Sequence, residues 1–193
     1  MICTTAAGAL NASFQVAPGG ASYSAAVEVA GTGEYSFWDT GPLGERIPRQ
    51  VANVTLEGPC GNCSFDWIDP FTMNFTPGNY TIFYDGGIME NHLQGSFGSP
   101  YHVLVSLPEG FDVRDPLIGM TSPGAAIAGN GTSLLIEWNN TKSFELRFYT
   151  PDRERLLLVF GLFWGVGLVL ALIPYLLSRR AIPREPEGKR GPP

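Results

Sequence analysis

The chain has 193 residues, with 12 Lys and Arg against 18 Asp and Glu, a formal net charge of −6, and only 16% charged residues. The acidic balance argues against nucleic-acid binding, because phosphate contacts need clustered cations. The 24 glycines and 16 prolines favour many turns, and the low charge content indicates a membrane segment or a β-rich domain.

The N-terminal residues look like the end of an export signal. The chain begins MICTTAAGALNASF, and Ala7-Gly8-Ala9 matches the small-residue pattern at which signal peptides are cleaved. We predict that residues 1–13 are a residual signal-peptide end or a flexible N-terminus, with cleavage near Ala9. In the alternative interpretation, Cys3 is a lipid-attachment cysteine.

Residues 14–152 predict an all-β domain outside the cytoplasm. Alternating or β-branched runs are separated by turn signals such as Pro77-Gly78-Asn79 and Asp85-Gly86-Gly87, and the second of these is typical of a tight hairpin. Many short strands at roughly eight- to twelve-residue spacing favour an immunoglobulin-like β-sandwich. The predicted strands are Ser22–Val29, Glu34–Trp38, Gln50–Leu56, Ser64–Ile68, Thr72–Phe75, Tyr80–Tyr84, Ile88–Phe97, Tyr101–Leu107, Thr132–Trp138 and Ser143–Tyr149.

Cys60 and Cys63 form a C-x-x-C pair in this domain. Outside the cytosol such a pair favours a structural disulfide that closes a tight turn. Redox-active thiols and a metal site are the alternatives. A thioredoxin-like motif would follow a strand and open a helix, whereas this pair lies between apparent strands.

Asparagine glycosylation motifs are unusually frequent. Seven of the nine asparagines are followed by x-Ser/Thr, whereas chance predicts about one among 24 Ser and Thr. All seven precede the apolar run near the C-terminus, and they predict an N-glycosylated exterior. Turns that collect Asn and Thr explain only part of this excess. The acceptors are Asn11, Asn53, Asn62, Asn74, Asn79, Asn130 and Asn139.

No motif for catalysis or for a cofactor is present in the sequence: Gly-rich phosphate loops, G-x-S-x-G and HExxH are all missing. His92 and His102 flank a Gly/Ser turn, so they could face each other across a hairpin and bind a metal with Glu90. A satisfied or exposed strand histidine is the favoured interpretation of both. We therefore predict no metal, no cofactor and no enzymatic activity.

A run of 22 uncharged residues, Leu156–Leu177, predicts one transmembrane helix within residues 153–178. At about 1.5 Å per residue the run is roughly 33 Å long, enough for a hydrocarbon core of about 30 Å. Gly161 and Gly165 form a GxxxG pair, which suggests a seam for a homodimer or another helix. Residues 179–193 predict a short, basic, disordered cytoplasmic tail.

Charge sets the predicted orientation. Residues 1–152 carry 5 basic and 15 acidic groups, and residues 153–193 carry 7 basic and 3 acidic groups. Because basic residues concentrate on the cytoplasmic side, the N-terminal domain is expected outside and the tail inside. The last predicted strand is so close to the membrane run that the domain is expected to stand near the bilayer.

The run YHVLVSLPEGFDVRDPLIGMTSPG at Tyr101–Gly124 precedes a Gly-rich hairpin, a strand that ends in Trp138, a membrane helix and an Arg-rich tail. This arrangement resembles uncharacterised archaeal envelope proteins with a β-rich ectodomain and one C-terminal transmembrane helix. The resemblance implies a cell-envelope location. It transfers no functional residues, because the family has no assigned activity.

Together these features predict a single-pass, glycosylated interaction module, an accessory or structural subunit of a cell-envelope assembly. Its expected partners are the lipid bilayer and another membrane or envelope protein. The alternatives are a ligand-binding sensor ectodomain, an extracytoplasmic thiol oxidoreductase and a metal-dependent enzyme. The 16 residues after the membrane run leave no room for an intracellular effector domain, which disfavours a sensor that acts alone.

Overall fold

The structure, a computed structural model, describes residues 9–41, 43–129 and 133–180, with side chains as far as residue 176. The chain divides into two compact units, Met1–Pro151 and Asp152–Pro193. The described part of the first unit is built from strands, which run as follows: β1 Leu10–Val16, β2 Ser22–Ser36, β3 Trp38–Thr40, β4 Arg46–Pro48, β5 Val51–Gly58, β6 Gly61–Cys63, β7 Asp66–Asp69, β8 Thr72–Gly87, β9 His92–Pro108, β10 Met120–Thr121, β11 Ala125–Gly129 and β12 Ser133–Arg147. One helix, α1, covers Pro151–Arg180.

The β-domain contains one open mixed sheet and a separate hairpin. The sheet order is β10-β12-β9-β1-β2-β8-β5-β6, with β11 added on β12 and β7 added on β8, while β3 and β4 pair with each other. β1 is parallel to β9 and antiparallel to β2. Because β10 and β6 end the order of the described strands, the sheet is not a closed barrel. The predicted β-rich domain with one apolar C-terminal helix is confirmed at this level.

Several predicted turns are wrong. Pro77-Gly78-Asn79 lies inside β8, so Thr72–Phe75 and Tyr80–Tyr84 are one bent strand. Asp85-Gly86-Gly87 is likewise inside β8 and paired with β2, rather than forming a hairpin. β9 and β12 also join predicted pairs of short strands. The register of the β2–β8 ladder shifts between Ala30 and Glu34, and that of the β9–β12 ladder shifts between Trp138 and Ser143, which is where these ribbons bend.

β1 begins at Leu10, so residues 10–13 of the predicted flexible N-terminus belong to a strand. Its Ala12, Phe14 and Val16 are buried, because alternate side chains of a strand point to one face. This short strand lies between β9 and β2, in the middle of the sheet. Ala7, Gly8 and Cys3, on which the cleavage and lipid-anchor interpretations depend, lie outside the described residues.

β2, β8, β9 and β12 each bend in the middle, so the strand segments before and after the bends form two halves of the sheet, which contact each other. Phe14 is paired with Val105 and Ala25 in its own ladders, yet its ring lies 4.8 Å from that of Phe144, which follows the bend of β12. Gly95 is paired with Phe144, and a Cβ on this glycine would lie 2.4 Å from the phenyl ring. The glycine therefore makes room for an aromatic side chain that is only 1% exposed.

The β-domain has two ends, which we name by what lies there. The far end contains the start of β1 and the places where the β2–β8 and β9–β12 ladders lose regular register, at residues 31–33, 76–79, 98–100 and 139–142. The exit end contains the β1–β2 turn, residues 88–92 and residues 147–149, after which the chain enters α1. A Cβ at Gly20, in the β1–β2 turn, would meet the rings of both Phe111 and Phe148, which places the residues just after β12 at this end. β1 covers 7 residues between the ends, about 20 Å at about 3.3 Å per residue.

Candidate functional site

The two histidines do not meet. Both lie on β9, so the hairpin expected between them is absent. His92 Nε2 lies 2.8 Å from Glu145 Oε1, and His102 Nε2 lies 2.9 Å from Glu137 Oε1. Both carboxylates belong to β12, the antiparallel neighbour of β9. Among the described residues, no three His, Cys, Asp or Glu side chains form a group that could hold a metal ion.

His102 belongs to a polar network on the outer face of the sheet. Asn11 Oδ1 lies 3.3 Å from His102 Nδ1, and Asn11 donates from Nδ2 and from its backbone N–H to Glu28 Oε2, at 2.9 Å each. Asn139 Nδ2 donates to Glu137 at 3.0 Å. Hydrogen bonds from His102 and Asn139 hold the pKa of Glu137 below its ordinary value. Two predicted glycan acceptors therefore lie in one charged network.

His92 and Glu145 line a cleft of about 730 Å³ in the β-domain. Gln94 closes part of it by donating from Nε2 to the backbone oxygen of Thr40 at 2.9 Å. The side chains of His92 and Glu145 are 28% and 45% exposed. The cleft can accept a small polar ligand, because its rim carries hydroxyl, amide, imidazole and carboxylate groups. The lining residues are Thr40, Gly41, Ile47, His92, Gln94, Gly95, Ser96, Ser122, Ser143, Phe144 and Glu145.

A partly buried arginine attaches the β3–β4 hairpin to the main sheet. Arg49 is paired with both carboxylate oxygens of Asp39, and its Nη2 donates to the backbone oxygen of Gln94 at 2.6 Å. Its Nη1 donates to the Tyr84 hydroxyl at 3.3 Å, and its guanidinium carbon lies 5.9 Å from the centre of the Tyr23 ring. The Arg49 side chain is 10% exposed and that of Asp39 is 25% exposed. One guanidinium thus connects β3, β8 and β9.

The electrostatics of this cluster follow from burial. Desolvation acts to lower the pKa of Arg49, but the hydrogen bonds to Asp39 and the nearby tyrosines outweigh it, and the net pKa is raised. Burial also raises the pKa of Tyr23, whose hydroxyl is buried without a hydrogen-bond partner among the described residues. The cluster therefore stays a cation–carboxylate pair surrounded by neutral phenols. The sequence did not predict this cluster, because Tyr84 and Gln94 lie 35 and 45 residues from Arg49 and only the fold brings them to it.

The predicted disulfide is present in the described residues. Cys60, in the turn of the β5–β6 hairpin, is bonded to Cys63, the last residue of β6, with a Cα–Cα distance of 5.5 Å. Gly61, at the turn, has a φ of 74°, a conformation that favours glycine. A strand precedes and a strand follows the pair, so it does not open a helix as redox C-x-x-C motifs do.

All six described sequon asparagines are exposed, as a glycan acceptor must be. Five lie at or beside the far end: Asn11 is the second residue of β1, Asn74 and Asn79 border the β8 bend, Asn139 is in the β12 bend, and Asn62 is in the β5–β6 hairpin, whose Gly58 adjoins the Tyr80 ring. Asn53 is nearer the exit end and donates from Nδ2 to Asp85 at 2.8 Å. Asn130 lies outside the described residues. Use of these sites stays a prediction.

The helix α1 contains one candidate membrane span, Pro151–Leu176, of 26 residues; its most apolar stretch of 18 residues has a mean hydropathy of 2.7 and no buried residue. Gly161 and Gly165 are four residues apart and so lie on one face of the helix, where they leave a strip without side chains. Pro174 lies inside the helix and removes one backbone hydrogen bond. The predicted basic tail lies outside the described residues from residue 181 onward.

Comparison of the chain with protein-family models, with curated proteins and with solved structures finds no match.

Proposed function

We propose that the chain is a single-pass, N-glycosylated membrane protein whose β-domain lies outside the cytoplasm and acts as a non-enzymatic interaction module. The observation that carries this proposal is the opposite placement of two features on the β-domain. The exposed sequon asparagines concentrate at the far end, whereas the chain leaves from the exit end into an apolar helix long enough to span a bilayer. This polarity suits a domain that stands on a membrane and presents a glycosylated surface outward.

The finer parts of the proposal have separate support. The basic flank of α1, which includes Arg179 and Arg180, favours a cytoplasmic C-terminus. The Gly161–Gly165 strip favours a homodimer or a partner helix. The contact between Phe14 and Phe144 supports a two-layered, sandwich-like packing of the bent sheet. An immunoglobulin-like strand order and the resemblance to archaeal envelope proteins stay predictions.

A ligand-binding ectodomain is the second candidate, favoured by the cleft at His92 and Glu145. A thiol oxidoreductase has less support, because the disulfide lies in a hairpin at the edge of the sheet and the next element is the strand β7, not a helix. A metal-dependent enzyme would need a ligand group that the described residues do not form.

The decisive experiment combines membrane extraction with glycopeptide mass spectrometry on the full chain. We expect the protein to stay in the membrane pellet in alkaline carbonate and to carry glycans on far-end asparagines. The Thr76→Ala variant, which destroys only the Asn74 motif, is expected to lose one glycan. Its control, Ser99→Ala, removes an exposed hydroxyl that belongs to no motif and is expected to lose none. An unglycosylated protein that carbonate releases would refute the proposal.

The interaction role is tested by cross-linking in native membranes. Carboxylate-reactive chemistry is required, because Lys142 is the only lysine before residue 152. Reproducible links from the β-domain to one other membrane protein would support an accessory subunit. Links confined to copies of this chain would refute that role in favour of self-assembly.

A further inference from the structure

The exit end carries three exposed apolar side chains. Met89 is 81% exposed, Leu117 is 77% exposed and Met120 is 42% exposed. A single exposed apolar residue is ordinary in a folded protein, but a group in one place indicates a contact surface.

The backbone pairing places the three residues around the last residues before the helix. Met120 is paired with Arg147, Arg147 with His92, and His92 is bridged to Met89 across the turn that precedes β9, which makes one row across β10, β12, β9 and this turn. With adjacent strands about 4.8 Å apart, the row is about 15 Å wide.

Leu117 joins this group through its loop. Its backbone N–H donates to Asp115 Oδ1 at 2.8 Å, and the Asp115 N–H donates to the Tyr149 hydroxyl at 3.1 Å. All three apolar residues are therefore connected to residues 147–149 through pairing or hydrogen bonds. We name Met89, Leu117 and Met120 the apolar rim.

The short chain segment before α1 limits how far the apolar rim can lie from the proposed membrane span. Tyr149 is followed by one residue before α1 begins at Pro151, and the uncharged run begins at Leu156. Seven residues reach about 25 Å at most when fully extended and far less as a helix, so the exit end stays at the membrane surface if α1 spans the bilayer.

We propose that the apolar rim inserts into the headgroup region of the outer leaflet and gives the β-domain a second membrane contact beside α1. This inference rests on the proposed function, because α1 must span the bilayer. Leucine and methionine enter the boundary between headgroups and acyl chains and gain apolar burial there. The glycan acceptors at the far end, about 20 Å away along β1, remain outside this contact.

The charges at the exit end indicate which lipids fit. Exposed or half-buried carboxylates outnumber guanidinium groups there, so we expect zwitterionic rather than anionic headgroups. The carboxylates are Glu90, Glu109, Asp112 and Asp115, and the guanidinium groups are Arg114 and Arg147.

The test uses the full chain in phosphatidylcholine nanodiscs that contain acyl-brominated phosphatidylcholine, which quenches nearby tryptophan fluorescence. Leu117→Trp places a reporter in the apolar rim. Ser99→Trp, at the exposed β9 bend of the far end, is the matched control. The wild-type signal, which comes from Trp38, Trp67, Trp138 and Trp164, is subtracted. The difference between the wild type and Trp164→Phe isolates the signal of Trp164 and reports on α1 independently.

We expect brominated lipid to quench the Leu117→Trp reporter several-fold more than the Ser99→Trp reporter. Equal quenching of both reporters, with Trp164 still quenched, would overturn the lipid contact while leaving the membrane span intact. Loss of Trp164 quenching would instead overturn the proposed function itself.

A second measurement leaves the wild-type chain unchanged. Methionine oxidation follows solvent access, so hydroxyl-radical rates in the same nanodiscs can be compared with those of the matching free peptides. We expect Met89 to be protected nearly as strongly as Met73, although their exposures in the β-domain are 81% and 0%. Oxidation of Met89 at close to the free-peptide rate would overturn the proposal. So would protection that occurs in native membranes and is absent from lipid-only nanodiscs, because that result would assign the apolar rim to a protein partner.

Discussion

The Arg49–Asp39 pair offers the sharpest test of how the β3–β4 hairpin is held. Arg49→Met keeps much of the side-chain volume and removes the guanidinium. The carboxylate of Asp39, 25% exposed, then loses its cation, and the backbone oxygen of Gln94 and the Tyr84 hydroxyl lose a donor. Removing one partner of a buried ion pair lowers the free energy of unfolding by about 3–5 kcal/mol. Because Asp39 is partly exposed, we expect a loss of about 3 kcal/mol for Arg49→Met. For a domain of this size that corresponds to a fall in Tm of roughly 10 °C.

The assay is thermal unfolding of the full chain in one detergent, followed by near-ultraviolet circular dichroism, which reports on the buried Trp138. Arg114→Met is the matched control, because it removes the guanidinium of an ion pair with Asp112 that is 67% exposed on the arginine side. Exposed pairs contribute at most about 1 kcal/mol. Arg49→Lys is expected to recover less than half of the loss, since an ammonium cannot reach both carboxylate oxygens and the carbonyl together.

A local readout distinguishes release of the hairpin from general destabilisation. Arg46 lies in β4, so trypsin is expected to cut there sooner in Arg49→Met than in the wild type at equal fractions of folded protein. If Arg49→Met costs no more than Arg114→Met, or if cleavage at Arg46 is unchanged, the conclusion that this arginine holds the hairpin is wrong.

Three further predictions concern the core, the disulfide and acid stability. Phe144→Ala removes a ring that is 1% exposed, so guanidinium unfolding is expected to show a loss of about 3–5 kcal/mol; a loss under about 1 kcal/mol would mean that the sheet halves do not meet at this ring. Replacing Cys60 and Cys63 by Ser opens a disulfide-closed loop of four residues, so the same assay is expected to show a loss of about 2 kcal/mol in the free energy of unfolding. An unchanged unfolding midpoint would mean that the disulfide does not stabilise the domain. The pKa of Asp85 is lowered by hydrogen bonds from Asn53 and Ser24, so its contribution is present above the unfolded pKa of about 4 and is lost as the pH falls through the lower folded pKa. The difference in free energy of unfolding between the wild type and Asp85→Asn, measured from pH 6 downward, should therefore vanish in acid. A difference that persists at the lowest pH would mean that the charge of Asp85 is not what stabilises the domain.

Local sequence patterns were sufficient to predict three features of the structure. The 22 uncharged residues from Leu156 specify a membrane-length helix because hydropathy and length are properties of one continuous segment. Cys60 and Cys63 are close enough in sequence to bond within one hairpin, whatever the rest of the chain does. Alternating apolar residues predicted most strands because each strand buries one face.

Other features depended on distant parts of the chain. Pro77-Gly78-Asn79 has the composition of a turn, but the same residues make a bend when the strand continues into the other half of the sheet. The partners of His92 and His102 lie 53 and 35 residues away, so ten-residue spacing along β9 said nothing about them.

The central position of β1 shows the division between sequence and tertiary structure most clearly. The seven residues Leu10–Val16 alternate as a strand, yet only the complete sheet places them between β2 and β9, where Phe14 meets Phe144. The sequence alone determined a β-rich domain, a hairpin disulfide and an apolar helix, because each follows from neighbouring residues. Tertiary structure decided the strand order, the partly buried Arg49 pair and the distance between the far-end glycan acceptors and the apolar rim, because burial selects strand partners across the whole domain.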